Sequence, residues 1–343
     1  MKTIGFLVTA AAIASFPLGS AAQAQAVTPQ SMPSRETMDT ALADAARLQG
    51  LETVIIARDG RTIVERGFRG NTVTRATNIK SASKSIISAM VGIAISKGML
   101  TGVDQPIAPI LKNELPRSPD PRLARVTIGN LLSMQAGLDR MSGANYGRWV
   151  SSGNWVRTAL AADFVDEPGG RMLYSTASTH LLSAILTKVS DKSTLALARE
   201  WFAPVDGFRI TAWERDPQGI YLGGNQMAMT PRSLLAFGEL YRNGGRTPDG
   251  TQVVPEDWIR QSWEHRTNSR FSGDSYGYGW FTRTIGGHAV HFGWGFGGQM
   301  VYVVPDLQLT VVMTSDEAAP SARTGYRDSL HDLLARIIAA SSA

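Results

Sequence analysis

The stretch Lys80-Ser81-Ala82-Ser83-Lys84-Ser85 opens the run Ile86–Ile95, which is apolar on nearly every face. A helix apolar all round is a buried helix, so a chain with this segment must build its core around a helix headed by a lysine. Ser81 and Lys84 stand three positions apart, about 4.5 Å of rise and about 60° of rotation, which places hydroxyl and amine on one face. A serine nucleophile whose proton passes to lysine needs that proximity. Burial disfavours the ammonium form, and the partial positive charge of a helix N-terminus also opposes a second cation while favouring an oxyanion. A capping serine beside a surface lysine would carry the same spacing, so the reading depends on the rest of the chain.

With 343 residues, 43% of them hydrophobic and 18% charged, the chain can build one large domain or two interleaved ones. Residues 1–26 read as a leader: Lys2, an apolar run from Ile4 to Phe16, then Ala22-Gln23-Ala24 and Ala24-Gln25-Ala26 as two alternative cleavage sites. The apolar run is short for an uncleaved anchor, and the expected location is the periplasm or outside the cell. No cysteine is present, which excludes thiol catalysis and disulfides. Loss of Lys2 would lower the net charge from +5 to +4, and no Lys/Arg block stands out, so nucleic-acid binding has no support.

Along the chain, Ser34–Gln49 reads as a helix closed by Gly50. Thr53–Arg58 and Thr62–Arg66 read as a hairpin about Asp59-Gly60. The Ser-x-x-Lys helix ends at Gly98. Short helices follow to about residue 265, including Ile128–Gln135, Ser178–Val189, Leu195–Phe202 and Pro231–Asn243. Strand patterns then appear at Gly277–Thr284, His288–Phe292, Gln299–Val304 and Leu309–Thr314, before a last helix over about Tyr326–Ala340. The hairpin-length connections imply antiparallel pairing. The expected architecture is α+β: an antiparallel sheet from both chain ends (27–95 and 266–343) flanked by helices, with an inserted helical region at 96–265.

Two further stretches carry chemistry. Tyr174-Ser175-Thr176 follows Pro168-Gly169-Gly170 and leads into the apolar run Leu181–Leu186, so Tyr174 sits where a loop enters a helix. A tyrosine beside Lys84 could pass a proton to a leaving group, the more so if the cation lowers its pKa; as a wall residue it would need no chemistry. The segment His291-Phe292-Gly293-Trp294-Gly295-Phe296-Gly297-Gly298-Gln299 reads as glycines leading into a strand, which lets backbone approach a ligand and expose an N–H. Acyl transfer needs such a donor opposite the N–H of the nucleophile, although a glycine-rich hairpin turn would look alike.

In this order the three elements resemble the penicillin-recognising serine hydrolases: class C β-lactamases, D-Ala-D-Ala peptidases, and related esterases and nylon-oligomer hydrolases. The family's Ser-x-x-Lys, Tyr-x-Asn and Lys-Thr-Gly or His-x-Gly correspond to Ser81/Lys84, Tyr174 and the 291–295 region. Gly98-Met99-Leu100 with Val103–Pro106, Thr127–Leu138, Gly223–Pro231 and Tyr276–Trp280 extend the likeness over most of residues 52–316. The resemblance implies a β-lactamase/transpeptidase-like fold and an acyl-enzyme mechanism without cofactor or metal, acting on a small-molecule ester, amide or lactam. Thr176 stands where the family has asparagine, and it cannot do both jobs of an amide. Lys-Thr-Gly is absent, replaced by His291-Phe292-Gly293 or Gly293-Trp294-Gly295. That loss argues for an ester or linear amide over a β-lactam, and Trp294 and Phe296 would make the acyl pocket aromatic.

Gly273-Asp274-Ser275-Tyr276-Gly277 matches Gly-x-Ser-x-Gly but lacks the strand before and the helix after, and reads as an incidental loop. Gly293–Gly298 matches a dinucleotide fingerprint but precedes a strand. Ser190-Asp191-Lys192 is not Ser-Asp-Asn, and reads as a helix end. The five histidines show no metal spacing, and only His291 stands out by position. The rival readings are a β-lactamase or D-Ala-D-Ala peptidase, and a non-catalytic binding protein on the same scaffold.

Overall fold

The computed structural model describes Met1 and residues 35–342; apart from Met1, the leader read over residues 1–26 lies outside them. Helix α1 (Arg35–Ala45) ends before the expected Gln49, because the chain turns there, Leu48 donating to the Ala45 carbonyl and Leu51 to that of Leu48. The hairpin of β1 (Leu51–Arg58) and β2 (Arg61–Gly67) follows, with Asp59 and Gly60 both left-handed, at φ 52° and 77°. Two such residues match the right-handed twist of paired strands. Next come β3 (Thr77–Asn78), α2 (Ser83–Ser96), α3 (Ile128–Leu132), α4 (Tyr146–Val150) and α5 (Trp155–Leu160). They are followed by α6 (Thr176–Ser190), α7 (Thr194–Trp201), β4 (Ile210–Trp213), β5 (Met227–Met229), α8 (Pro231–Arg242) and α9 (Glu256–Trp263). The C-terminal part holds β6 (Thr267–Asn268), β7 (Ser275–Tyr276), β8 (Phe281–Ile285) and β9 (His288–Gly295). It closes with β10 (Gln299–Val304), β11 (Leu309–Ser315) and α10 (Tyr326–Ser342).

The main sheet is antiparallel, in the order β2-β1-β11-β10-β9-β8-β7-β6, so the N-terminal hairpin docks on the last strand with Ile55 opposite Val312. Its central strands are buried on both faces, which is why they read as continuous apolar runs. Val54, Ile56, Met300, Tyr302, Val311 and Met313 face α1 and α10, packing with Leu42, Leu330, Leu334 and Ile337. The alternate residues Ile55, Ala57, Val301, Val303 and Val312 face the other way, onto α2 and α8. That second core continues through Leu131, Trp155, Leu181 and Leu197, so helices α3 to α7 share it with the sheet.

In the sheet, two strand expectations are corrected and one small sheet is new. The strand read over Gly277–Thr284 starts only at Phe281, because Gly279 turns at φ 79° and its carbonyl accepts from Ser85 Oγ (2.7 Å). β9 does not stop at Phe292 but runs to Gly295. Its glycines are strand positions pressed against the start of α2: a Cβ at Gly293 would meet Ser85 Oγ at 2.9 Å, and one at Gly295 the Ile79 carbonyl at 2.3 Å. A second small sheet, β3-β5-β4, escaped the sequence reading because strands of two to four residues carry too little periodicity.

The Gly-x-Ser-x-Gly decoy is no strand–helix elbow: Ser275 opens the short β7, and its hydroxyl bonds His265 Nδ1 (2.9 Å). Its neighbour Asp274 is buried and ion-paired with both Arg283 and Arg327, tying β8 and α10 to this loop. Removing one partner of a buried pair costs roughly 3 kcal/mol, because the other charge stays desolvated. Urea unfolding of Asp274→Ala should show about that loss, and Asp274→Asn less. A loss below about 1 kcal/mol, the level of an exposed pair, would mean that Asp274 does not hold the loop.

Candidate active site

Ser81 lies in a 3-10 turn (Lys80–Ala82) that precedes α2. Lys80 enters it at φ 50°, an uncommon conformation for a side chain with a Cβ. Local bonds hold the kink: Lys80 N–H donates to Asn78 Oδ1 (3.0 Å), Asn78 Nδ2 to Gln226 Oε1 (2.6 Å), and Ser83 Oγ to the Lys80 carbonyl (2.7 Å). The Lys80 ammonium pairs with Glu317 at 3.4 Å.

Lys84, one turn on, is fully buried, with its amine 3.3 Å from Ser81 Oγ, 3.3 Å from Thr176 Oγ1 and 2.6 Å from the Gly224 carbonyl. No carboxylate is among these partners. Burial lowers its pKa from 10.5 to about 7. A neutral amine has two N–H donors and one lone pair. With the donors on Gly224 and Thr176, the lone pair is left for the Ser81 proton. Gly224 is a residue the sequence reading passed over as a framework landmark. It sits at φ 82°, and a Cβ there would lie 2.6 Å from Lys84 Cγ, so only glycine brings this carbonyl to the amine.

Tyr174 precedes α6, with the Ser81 side chain close enough to act on its pKa. The Lys84 amine lies 5.2 Å from the centre of its ring. The Lys84 amine does not lower the Tyr174 pKa: burial raises it, and Ser81 opposes this only in part. Tyr174 is therefore a neutral phenol at neutral pH, able to donate a proton and to accept one on its oxygen. Thr176, at the first position of α6, shares its hydroxyl between Lys84 and Ser142 Oγ (3.2 Å), and its N–H donates to Ser142 Oγ (2.9 Å). Threonine and Ser142 together thus offer the donor and acceptor capacity of one amide. Ser142 was missed because it lies in an irregular polar loop with no motif around it.

On β9, Gly293 and Gly295 abut the Ser81 turn. β8 pairs with β9 only as far as Phe281 opposite Phe292, so residues 293–295 have no strand partner on that side. His291 takes another role: its ring stacks on Trp263 (4.0 Å, 2° between planes), and Nδ1 bonds Thr282 Oγ1 (2.9 Å). Burial lowers its pKa to about 4, so it is neutral at pH 7. Trp294 packs on the far face of the strand, donating Nε1–H to Ser321 Oγ (3.2 Å) with Arg327 over its ring (4.8 Å). Phe281 lies between it and Tyr174, 5.9 Å and 6.1 Å from their rings. Phe296 is exposed in the turn after β9.

Residues 38–336 match the Beta-lactamase family. The chain belongs to that family. It has the α+β β-lactamase/transpeptidase fold of that family. The solved structure of EstCE1, described as a hydrolase with promiscuous acyltransferase activity, aligns at TM-score 0.70 and 18% identity, over 90% of this chain and 99% of that one. A class C β-lactamase from Rhodobacter sphaeroides aligns at TM-score 0.63 and 16% identity, over 88% of this chain and 99% of that one. Among curated proteins, the probable fimbrial assembly protein FimD (serogroup H1) of Dichelobacter nodosus is 33% identical over 147 residues, 40% of this chain and 36% of that protein. The chain thus spans about a third of the length of this relative, and at such structural identities the likeness concerns the fold.

Lys84 also sets a stability signature. Its folded-state pKa of about 7 lies below the ordinary 10.5, so between those values the unfolded chain binds the extra proton and stability rises with pH. Below about pH 7 the burial cost is fully present, on the order of 5 kcal/mol. Lys84→Met should therefore gain stability relative to the unsubstituted protein at pH 6–7 and lose that gain by about pH 10.5, as read by denaturant unfolding at each pH. An offset independent of pH would contradict the lowered pKa.

Proposed function

We propose that this protein hydrolyses an ester or amide bond of a small molecule through an acyl-enzyme on Ser81. The reading rests on one observation above all: the buried Lys84 amine, poised near pKa 7, lies within hydrogen-bond reach of Ser81 Oγ with no carboxylate to hold it charged. Lys84 takes the Ser81 proton as Oγ bonds to the substrate carbonyl carbon. The oxyanion is received by the Ser81 N–H and one N–H from residues 293–296, a role supported by the unpaired edge of β9. As the C–O or C–N bond breaks, Tyr174 passes a proton to the leaving group and regains one from Lys84. Water then attacks the acyl carbon by the reverse proton path, releasing the acid and Ser81.

Hydrolysis of a β-lactam is the competing reading. Against it stands His291: in place of the lysine of the lactamases' Lys-Thr-Gly, this chain has a ring that is neutral at pH 7 and stacked on Trp263. A non-catalytic binding protein would have no use for an amine tuned to pH 7. The leader at residues 1–26 supports export as part of the same proposal.

The expected result is Ser81-dependent turnover with kcat/KM for p-nitrophenyl butyrate well above that for a chromogenic cephalosporin. Its pH profile should rise through about pH 7, as Lys84 loses its proton, and then stay level because Tyr174 remains neutral. Lys84→Met should lower kcat by about 10²–10⁴-fold, and Ser81→Ala should abolish turnover and any covalent adduct. The inverse substrate ratio would make it a lactamase, and activity surviving Ser81→Ala would refute the mechanism.

A further inference from the structure

The segment that carries the Gly224 carbonyl to Lys84 is held by a side chain at each of four successive carbonyls. That of Tyr221 accepts from Ser183 Oγ (2.6 Å), Leu222 from Trp213 Nε1 (2.8 Å), Gly223 from Thr179 Oγ1 (3.0 Å) and Gly224 from the Lys84 amine (2.6 Å). Thr179 and Ser183 lie on α6, one turn apart and therefore on one face. The last two carbonyls belong to consecutive glycines. Gly223 is pressed on α6, where a Cβ would run into the Thr179 carbonyl. Gly224 lies between α6 and α2, where a Cβ would meet the Thr179 hydroxyl on one side and Lys84 on the other.

Glycine leaves the adjoining peptides free to turn. Close packing thus sets where this backbone lies, but its hydrogen bonds set where the carbonyls point. Thr179 is buried and divides its hydroxyl between the Gly223 carbonyl and the Thr176 carbonyl, at 3.1 Å. Thr176 is itself a partner of the amine, through its own hydroxyl at 3.3 Å. One hydroxyl therefore ties together the two backbones that supply the amine's partners besides Ser81. Beyond the glycines the chain is fixed separately, Gln226 taking Asn78 Nδ2 on its side chain and the Glu214 N–H on its carbonyl.

We infer that Thr179 is a positioning residue, whose hydroxyl holds the Gly223–Gly224 peptide so that the Gly224 carbonyl faces the Lys84 amine. The kinetic consequence rests on the Ser81 hydrolase reading above; the effect on the amine does not. An acceptor at 2.6 Å favours the ammonium over the neutral amine. Around the amine, Ser81, Thr176 and Gly224 are uncharged, Tyr174 is a neutral phenol, and the Gly279 turn packs on the Lys84 backbone. Burial is what lowers the Lys84 pKa. Losing the Gly224 bond lowers it further and leaves the lone pair no longer aimed at Ser81.

The test follows the Lys84 ¹³Cε resonance against pH in the full chain carrying ¹³C-lysine, assigned by its absence from Lys84→Met. Thr179→Val keeps the shape and removes the hydroxyl. It should move the midpoint down from about 7 by about one pH unit, as for one hydrogen bond to a charged group. The kcat/KM profile for p-nitrophenyl butyrate should move with it, its plateau lowered about tenfold by the misdirected base. Thr179→Ser keeps the hydroxyl and should leave both as they are. Ser183→Ala removes a bond of the same kind two carbonyls away. It should lose stability in urea as Thr179→Val does, with the Lys84 midpoint unmoved. Thr179→Ala gives the same reading should Thr179→Val not fold. A midpoint that stays or rises when the hydroxyl is lost, or that Ser183→Ala moves equally, overturns the inference and leaves the hydrolase reading intact. A midpoint that falls as expected in a protein without Ser81-dependent turnover supports the positioning role and overturns the hydrolase reading.

Discussion

A lysine amine taken out of water, with a glycine carbonyl as its shortest contact, is the constraint around which this structure is arranged. Burying Lys84 is costly, and its pKa near 7 records how far the site has gone toward releasing the proton. The cost is tolerable only because each amine position has a polar neighbour: Gly224 below, Thr176 to one side, Ser81 toward the cleft. Those neighbours come from three distant parts of the chain, so the amine can be tuned only after the helices and the sheet have closed on each other.

Close backbone approach makes that closure possible. Gly224 reaches the amine, and Gly293 and Gly295 let β9 lie directly on the turn that carries Ser81. The same approach leaves a short unpaired edge of strand beside the hydroxyl, since β8 ends its pairing at Phe292. Tyr174 stands beside Ser81 as a neutral phenol, its pKa raised by burial. Arg140 and Arg323, from separate segments, flank the exposed Phe271.

Much of this was legible in the chain. Ser81 and Lys84 were readable because their spacing is local, and because the apolar run after them announced a buried helix. The strands β1, β10 and β11 were readable because both their faces are buried, leaving long apolar runs. Other features lacked any local signal. Ser142 is one serine in an irregular loop, and Gly224 looks like any turn glycine. The far end of β9 read as a glycine-rich lead-in to the next strand, because glycines within a strand are unusual unless another backbone presses on them.

The sequence by itself determined a buried helix headed by serine and lysine, a tyrosine at a helix entry, and an α+β chain whose two ends supply one sheet. These follow from spacing and periodicity, which act over a few residues. Tertiary structure alone decided the protonation of the site and the use of its odd residues. It raised the Tyr174 pKa through burial, gave His291 to Trp263, and brought Arg140 and Arg323 to one ring. Desolvation and contact between remote segments depend on what packs against a residue, and no stretch of neighbouring sequence carries that information.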